Sequence, residues 1–96
     1  MRFPKNELYG LISQMRKSSA SVPTNIAEGC GRNGGPELAR FLQIALGSAS
    51  EIEYQLLLSK DLNFLKITEY ESMNARVVEI KKMLVSLMKK VRSSND

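Results

Sequence analysis

Apolar side chains recur every three or four residues through most of the chain, and this spacing is the feature that most limits its fold. Three stripes show it: Leu8–Ile12–Met15–Ser19–Val22–Ile26, Leu38–Leu42–Ala45–Ala49–Ile52–Leu56–Ser59 and Tyr70–Met73–Val77–Ile80–Leu84–Leu87–Val91. A period of about 3.6 residues places each stripe along one side of an α-helix. No segment alternates with a period of two over a useful length, so strands are not expected. The pattern predicts an all-α protein.

Glycine and proline clusters divide the stripes into three helices. The segment GRNGGP ends the first helix, and Pro36 suits the first turn of the second. DLNFLKI connects the second helix to the third, where Thr68 and Glu71 have the spacing of a capping box. We expect helices at about residues 6–32, 36–60 and 69–92, in a single domain spanning residues 1–96. Both connections are short, so the helices should form an up-down bundle.

Pro23 falls inside the first helix, within the segment SVPTNIAEGCGR. A proline removes one backbone hydrogen bond and costs a helix about 3 kcal/mol. The apolar stripe nevertheless continues in phase from Val22 to Ile26. This continuity favours one kinked helix over two separate helices, with the serines before Pro23 as candidates to bond to the freed carbonyls.

A polar stripe follows the same helix, away from its apolar stripe. At 100° per residue, Ser21, Asn25, Glu28 and Arg32 fall together. This stripe has two interpretations. It is either a solvated face with a Glu28–Arg32 ion pair, or a contact surface for another subunit or for nucleic acid.

The second helix contains the small-residue segment IALGSAS. A glycine in a helix costs about 1 kcal/mol relative to alanine, and a close helix crossing would justify that cost. The crossing helix would belong either to the same bundle or to another copy. With the polar stripe of the first helix, these residues give a candidate subunit or partner interface, which comprises Ser21, Asn25, Glu28, Arg32, Arg40, Gly47, Ser48 and Glu51.

No combination of side chains typical of an active site is present. The chain has no histidine, the commonest general base and metal ligand. Its one cysteine, Cys30, excludes an intrachain disulfide and a cysteine-rich zinc site. Gly29 and Gly31 do not follow a strand, as the glycines of a dinucleotide-binding loop do. We expect no enzyme activity, no catalytic residue, no metal site and no cofactor.

The net charge is +4, and the positive charge is concentrated in the third helix. Six basic residues and one acid lie between Arg76 and Arg92, whereas Pro36–Asp61 has two basic residues and four acids. The helix dipole accounts for one or two cations near a helix C-terminus. The remaining basic residues of the third helix predict a surface that binds nucleic-acid phosphates. Its candidate residues are Lys81, Lys82, Lys89, Lys90 and Arg92.

SVPTNIAEGCGR, followed by ELARFLQIALGSASEIEYQLLLSKDLNFL, resembles the 23S rRNA-intervening sequence protein family, also called S23 ribosomal proteins. The resemblance extends from FPKNELYGL almost to the C-terminus, and it implies a four-helix bundle that assembles as a homopentamer without established catalytic residues. Accessory variability proteins of diversity-generating retroelements are similar in fold, and they bind nucleic acid and a reverse transcriptase.

Family members usually have a helix before the FPKNELYGL segment. The resemblance therefore implies a bundle with three long helices in this chain and the first helix of the family missing, either because translation was assigned to an internal methionine or because this is a three-helix version. Apolar surface would then be left for another copy or another protein to cover.

Two functions remain open from the sequence. The first is a non-enzymatic oligomer that binds RNA or DNA, as an accessory factor to an RNA or a reverse transcriptase. The second is an assembly module that binds only protein. No apolar run approaches the ~20 residues of a membrane span, and the N-terminus lacks the apolar core of a signal peptide, so we expect a cytoplasmic protein without membrane contact.

Overall fold

The chain forms three long helices in a computed structural model that describes residues 5–93, with side chains described for residues 8–93. Helix α1 spans Lys5–Cys30, α2 spans Gly35–Asp61 and α3 spans Ile67–Ser93. The described residues contain no strand. The all-α prediction is therefore confirmed. None of the three helices combines the length and apolar character needed to cross a membrane.

Two tight turns connect the helices. Gly34 precedes α2 with a φ of 107°, a conformation that glycine adopts without strain, and Pro36 lies in the first turn of α2. After α2, Asn63 has a φ of 63°, and the backbone N–H of Phe64 donates to the Ser59 carbonyl at 2.9 Å. This second turn has the hydrogen bond of a Schellman motif, in which a left-handed residue ends the helix.

The start of α3 differs from the predicted Thr68–Glu71 capping box. The Tyr70 N–H already donates to the Lys66 carbonyl at 2.9 Å, so the helix begins at Ile67. Glu69 Oε1 accepts a 2.9 Å hydrogen bond from the Lys66 backbone N–H. The acid of the cap is therefore Glu69, two residues before the predicted one.

The three helices form one layer, with α2 between α1 and α3. Both outer helices pack on α2, but no Cα atom of α1 lies within 8 Å of a Cα atom of α3. The Cα extents are 55 × 24 × 13 Å, so the molecule is elongated and flattened. The buried core lies along α2 and consists of Val22, Leu42, Ala45, Ala49, Leu56, Val77, Leu84 and Met88.

The burial of the outer helices corrects two of the predicted stripes. In α1, Leu11 and Ser18 are buried, whereas Ile12 and Ser19 of the predicted stripe are exposed. In α3, Ile80 and Leu87 are each 41% exposed. Among the described residues, the backbone of each outer helix comes close only to α2, so the part of its stripe that faces α2 is the part that is buried.

Candidate functional site

Four of the five predicted phosphate-binding cations project from α3 into solvent. Lys82, Lys89, Lys90 and Arg92 are exposed. None of the four lies in an ion pair with another residue of the described part of the chain. Lys82 and Lys89 line a shallow pocket of about 410 Å³ between α2 and α3. These four residues, which we call the α3 cations, form the candidate nucleic-acid interface.

Lys81 does not belong with the α3 cations, although the sequence predicted it there. Its Nζ lies 2.8 Å from Glu53 Oε1 of α2, and both side chains are about two-thirds buried. Lys81 is four residues after Val77 and three before Leu84, which are both buried, so it faces α2. Its charge therefore connects two helices instead of facing a ligand.

Ser21 and Asn25 lie between α1 and α2 and not on an outer face. Ser21 Oγ and Ser48 Oγ are 2.7 Å apart. Asn25 Nδ2 donates to Ser21 Oγ at 2.9 Å and to the Ser21 carbonyl at 2.8 Å. This side of α1 faces α2, because Ser18, three residues before Ser21, is also buried. Ser21, Asn25 and Ser48 thus join two helices of the same chain.

Further hydrogen bonds between polar side chains lie along the α1–α2 interface. Ser18 Oγ donates to Glu51 Oε2 at 3.2 Å and accepts from Gln55 Nε2 at 3.3 Å. Gln55 Oε1 is buried without a partner among the described residues. Gln55 is not among the residues predicted from the sequence. The sequence could have indicated it, because Gln55 lies seven residues after Ser48 and four before Ser59. These spacings place the three polar residues on one side of α2.

Asn25 also supports the backbone around Pro23. Helix α1 is continuous through Pro23, as its unbroken stripe predicted. The Asn25 side chain donates to the Ser21 carbonyl, four residues before it, whereas the carbonyl that Pro23 leaves without its backbone donor is that of Ser19. Ser18 and Ser21 instead bond to side chains of α2.

The remaining charged residues of the predicted interface lie at the α1–α2 turn. Glu28 and Arg32 form a 3.5 Å ion pair, and each side chain is about half exposed. Arg40 pairs with Glu37 at 3.5 Å. Both guanidinium groups lie over the Phe41 ring, 5.3 Å from its centroid for Arg32 and 4.5 Å for Arg40. These contacts favour the solvated ion pair as the interpretation of Glu28 and Arg32.

The close helix crossing occurs at Gly29 and not at Gly47. A Cβ on Gly29 would lie 2.9 Å from Leu38 Cδ1 and 2.9 Å from Phe41 Cβ. A Cβ on Gly47 would meet no atom within 4 Å, and Gly47 is exposed. Gly29 follows buried Val22 by seven residues, which is the signal that places it on the α2 side of α1.

An apolar groove separates α1 from α3 on one face of the layer. It has a volume of about 830 Å³ and is lined by Val22, Pro23, Ile26, Ile80, Met83, Leu84 and Leu87. Met83 is 65% exposed within it. Charged residues, Glu79 and Lys90 among them, border the groove on its α3 side. We call this surface the apolar groove.

The sequence matches a model of the 23S rRNA-intervening sequence proteins over residues 1–86. The chain belongs to this family. Its fold is similar to the crystal structure of a protein of unknown function from the S23 ribosomal protein family of Bacteroides thetaiotaomicron, with a TM-score of 0.80. The two share 33% sequence identity, over 82% of this chain and 73% of that one. No curated protein shows significant similarity to the chain. Family membership thus confirms the resemblance seen in the sequence.

Proposed function

We propose that this member of the 23S rRNA-intervening sequence family is a non-enzymatic oligomer that binds nucleic acid through α3. The supporting observation is the set of α3 cations, which are exposed and lack carboxylate partners among residues 5–93. A cation without a protein partner is available to a phosphate, and its binding releases a counterion from the nucleic acid.

The arrangement of the α3 cations suits backbone contacts better than base recognition. Lys82 and Arg92 are ten residues apart, or about 15 Å along a helix. Duplex DNA carries a charge every ~1.7 Å of its axis, so a cluster of this length faces several phosphates in almost any register. The aromatic residue of α3 is Tyr70, near its other end, so no aromatic side chain accompanies these cations for base stacking. Binding should therefore depend little on sequence.

An oligomer strengthens such binding. The family resemblance implies a homopentamer, in which five copies of α3 would add their positive potentials and attract a polyanion at longer range. The same resemblance supports a role as an accessory factor to an RNA or a reverse transcriptase. Nucleic-acid binding of this kind requires no reacting group, because correctly positioned positive charges are sufficient for it.

The experiment is a titration of the protein against a mixed-sequence RNA and a duplex DNA at several salt concentrations. We expect binding to both, with log affinity falling by roughly 0.7–0.9 per phosphate contact for each log unit of salt. No binding to either at low salt would contradict nucleic-acid recognition.

The apolar groove favours a second candidate function, a protein assembly module. Layers of helices are stable when an apolar face packs on a second layer. An amphipathic helix lying along the groove would supply that layer and complete the four-helix bundle that the family resemblance implies. Under this alternative the protein binds a protein through the groove, and it does not bind nucleic acid in the titration above.

A further inference from the structure

We infer that the shallow pocket between α2 and α3 holds one unpaired nucleotide of a single strand, with its base on valine side chains and its flanking phosphates on Lys82 and Lys89. The inference rests on the proposed nucleic-acid binding, and it names the kind of nucleic acid that this surface prefers. It does not depend on the number of copies in the oligomer. Three features support it: alternating valines and cations on α3, an apolar floor, and a free carboxylate oxygen in the wall.

Valine and basic residues alternate along one side of α3. A spacing of 4-3-4-3 residues places five side chains on that side: Val78, Lys82, Val85, Lys89 and Arg92. Lys82 and Lys89 are two helical turns apart, or about 10 Å along the axis, and both are exposed. Val85 lies between them. A nucleotide placed on Val85 therefore has a lysine close to the phosphate on each of its sides.

The floor of the pocket is apolar. Val78 and Val85 line it, and Val85 is 37% exposed. The volume of about 410 Å³ lies within the range of small-ligand sites. An unpaired base can turn its apolar face onto such a floor, whereas the bases of a duplex remain stacked on one another. A duplex therefore reaches the two lysines but leaves the valines uncovered.

Glu53 provides a hydrogen-bond acceptor in the α2 wall of the pocket. Its Oε1 accepts a 2.8 Å hydrogen bond from Lys81 Nζ, and its Oε2 accepts none from the described residues. A carboxylate oxygen accepts from the amino group of cytosine. Uracil has a carbonyl oxygen at the corresponding position, which a carboxylate repels. The pocket should therefore prefer cytosine to uracil.

The charges around the pocket favour a nucleotide over an acidic peptide. Lys81 and Glu53 neutralise each other, so Lys82 and Lys89 remain for phosphates. Lys82 also borders the apolar groove, and its exposed side chain is here assigned to a phosphate. The Ser86 hydroxyl lines the pocket and can donate to a phosphate oxygen. An acidic side chain could bind the lysines, but it would bring a second carboxylate towards Glu53 instead of a donor.

Fluorescence anisotropy of the full chain with labelled RNA strands of about 12 nucleotides tests the inference. Oligocytidylate, oligouridylate and an abasic strand of equal length carry the same phosphates and differ only in their bases. We expect oligocytidylate to bind about threefold more tightly than oligouridylate, because one hydrogen bond is lost. It should bind about tenfold more tightly than the abasic strand, which also lacks the apolar contact.

Two variants separate base contacts from phosphate contacts. Val85→Ser should weaken oligocytidylate binding about threefold and leave the abasic strand and duplex DNA unaffected, because only an unpaired base reaches the floor. Glu53→Gln should remove the preference for cytosine, since an amide can also donate to the uracil carbonyl. Ile67→Ser is the matched control: Ile67 is 64% exposed at the other end of α3, and its loss should change no affinity. Circular dichroism verifies that each variant is folded.

The outcomes distinguish this inference from the proposed function. Equal affinity for oligocytidylate and the abasic strand overturns the inference and leaves phosphate binding through α3 intact. A Val85→Ser variant that binds oligocytidylate like the wild type, or that loses duplex DNA equally, also overturns it. An acidic peptide of equal charge that displaces oligocytidylate with the same affinity would assign the pocket to a protein segment instead. Binding to no strand and no duplex at low salt overturns the proposed nucleic-acid binding, and this inference with it.

Discussion

Gly29 is the residue where α1 and α2 come closest. A methyl group there would lie 2.9 Å from Phe41 Cβ, an atom next to the backbone that cannot rotate away. Gly29→Ala should therefore lower the free energy of unfolding by about 1–2 kcal/mol, because overpacking outweighs the gain in helix propensity. Urea unfolding followed by circular dichroism measures the change. An unchanged or higher midpoint would show that the crossing relaxes without cost.

Gly47 provides the opposite case on the same pair of helices. It is exposed, and a Cβ would meet no atom within 4 Å. Gly47→Ala should raise the free energy of unfolding by about 0.5–1 kcal/mol, since alanine loses less conformational entropy in a helix. The same urea titration, at matched protein concentration, compares the two variants. Destabilisation or a changed oligomer mass would mean that another copy packs against Gly47, as the predicted interface proposed.

Individual contacts were less predictable than the helices that carry them. The 100° spacing of residues around a helix grouped Ser21, Asn25, Glu28 and Arg32 on one polar stripe. That spacing does not show which part of the stripe packs against a neighbouring helix. Glu28 and Arg32 lie at the α1–α2 turn and remain exposed, whereas Ser21 and Asn25 bond at the α1–α2 interface. The orientation depends on the helix packing, which a single helix does not determine.

At the scale of elements, the Lys81–Glu53 pair joins α3 to α2. Its atoms are 2.8 Å apart, and both groups are partly shielded from water. Lys81→Gln should lower the free energy of unfolding by about 0.5–1 kcal/mol, within the range of partly exposed ion pairs. It should leave nucleic-acid affinity unchanged, because Glu53 already neutralises this charge. Unfolding and binding titrations on one preparation measure both effects, and a loss of affinity like that of Lys82→Gln would return Lys81 to the nucleic-acid interface.

The helices themselves were predictable because their signals are local. A 3.6-residue period and the Gly–Pro turn chemistry predicted all three elements within a few residues. Burial within each element was predicted less well. Ile80 and Leu87 have the spacing of core residues, yet each is 41% exposed. Periodicity identifies a face that needs a partner, but it does not say whether that partner belongs to the same chain.

At the scale of the whole molecule, one layer of helices leaves the apolar groove open. The 13 Å thickness and the separation of α1 from α3 define this face. A second layer, from a second copy or another helix, would bury this face. Such a layer explains why the apolar stripes of α1 and α3 include residues that do not pack against α2. The family resemblance implied uncovered apolar surface, but only the packing of the three helices locates it.

Nucleic-acid recognition is the central claim, and the salt dependence of binding tests it most directly. Affinity for a mixed-sequence RNA should be measured across salt concentrations for the wild type, for Lys82→Gln with Lys89→Gln, and for Lys81→Gln as the matched control. The double variant should flatten the slope of log affinity against log salt by about one to two units per subunit engaged, while the control keeps the wild-type slope. Both double-variant positions are exposed, so circular dichroism should show an unchanged fold. A wild type that binds neither RNA nor DNA at low salt, or a double variant with an unchanged slope, would contradict recognition through α3.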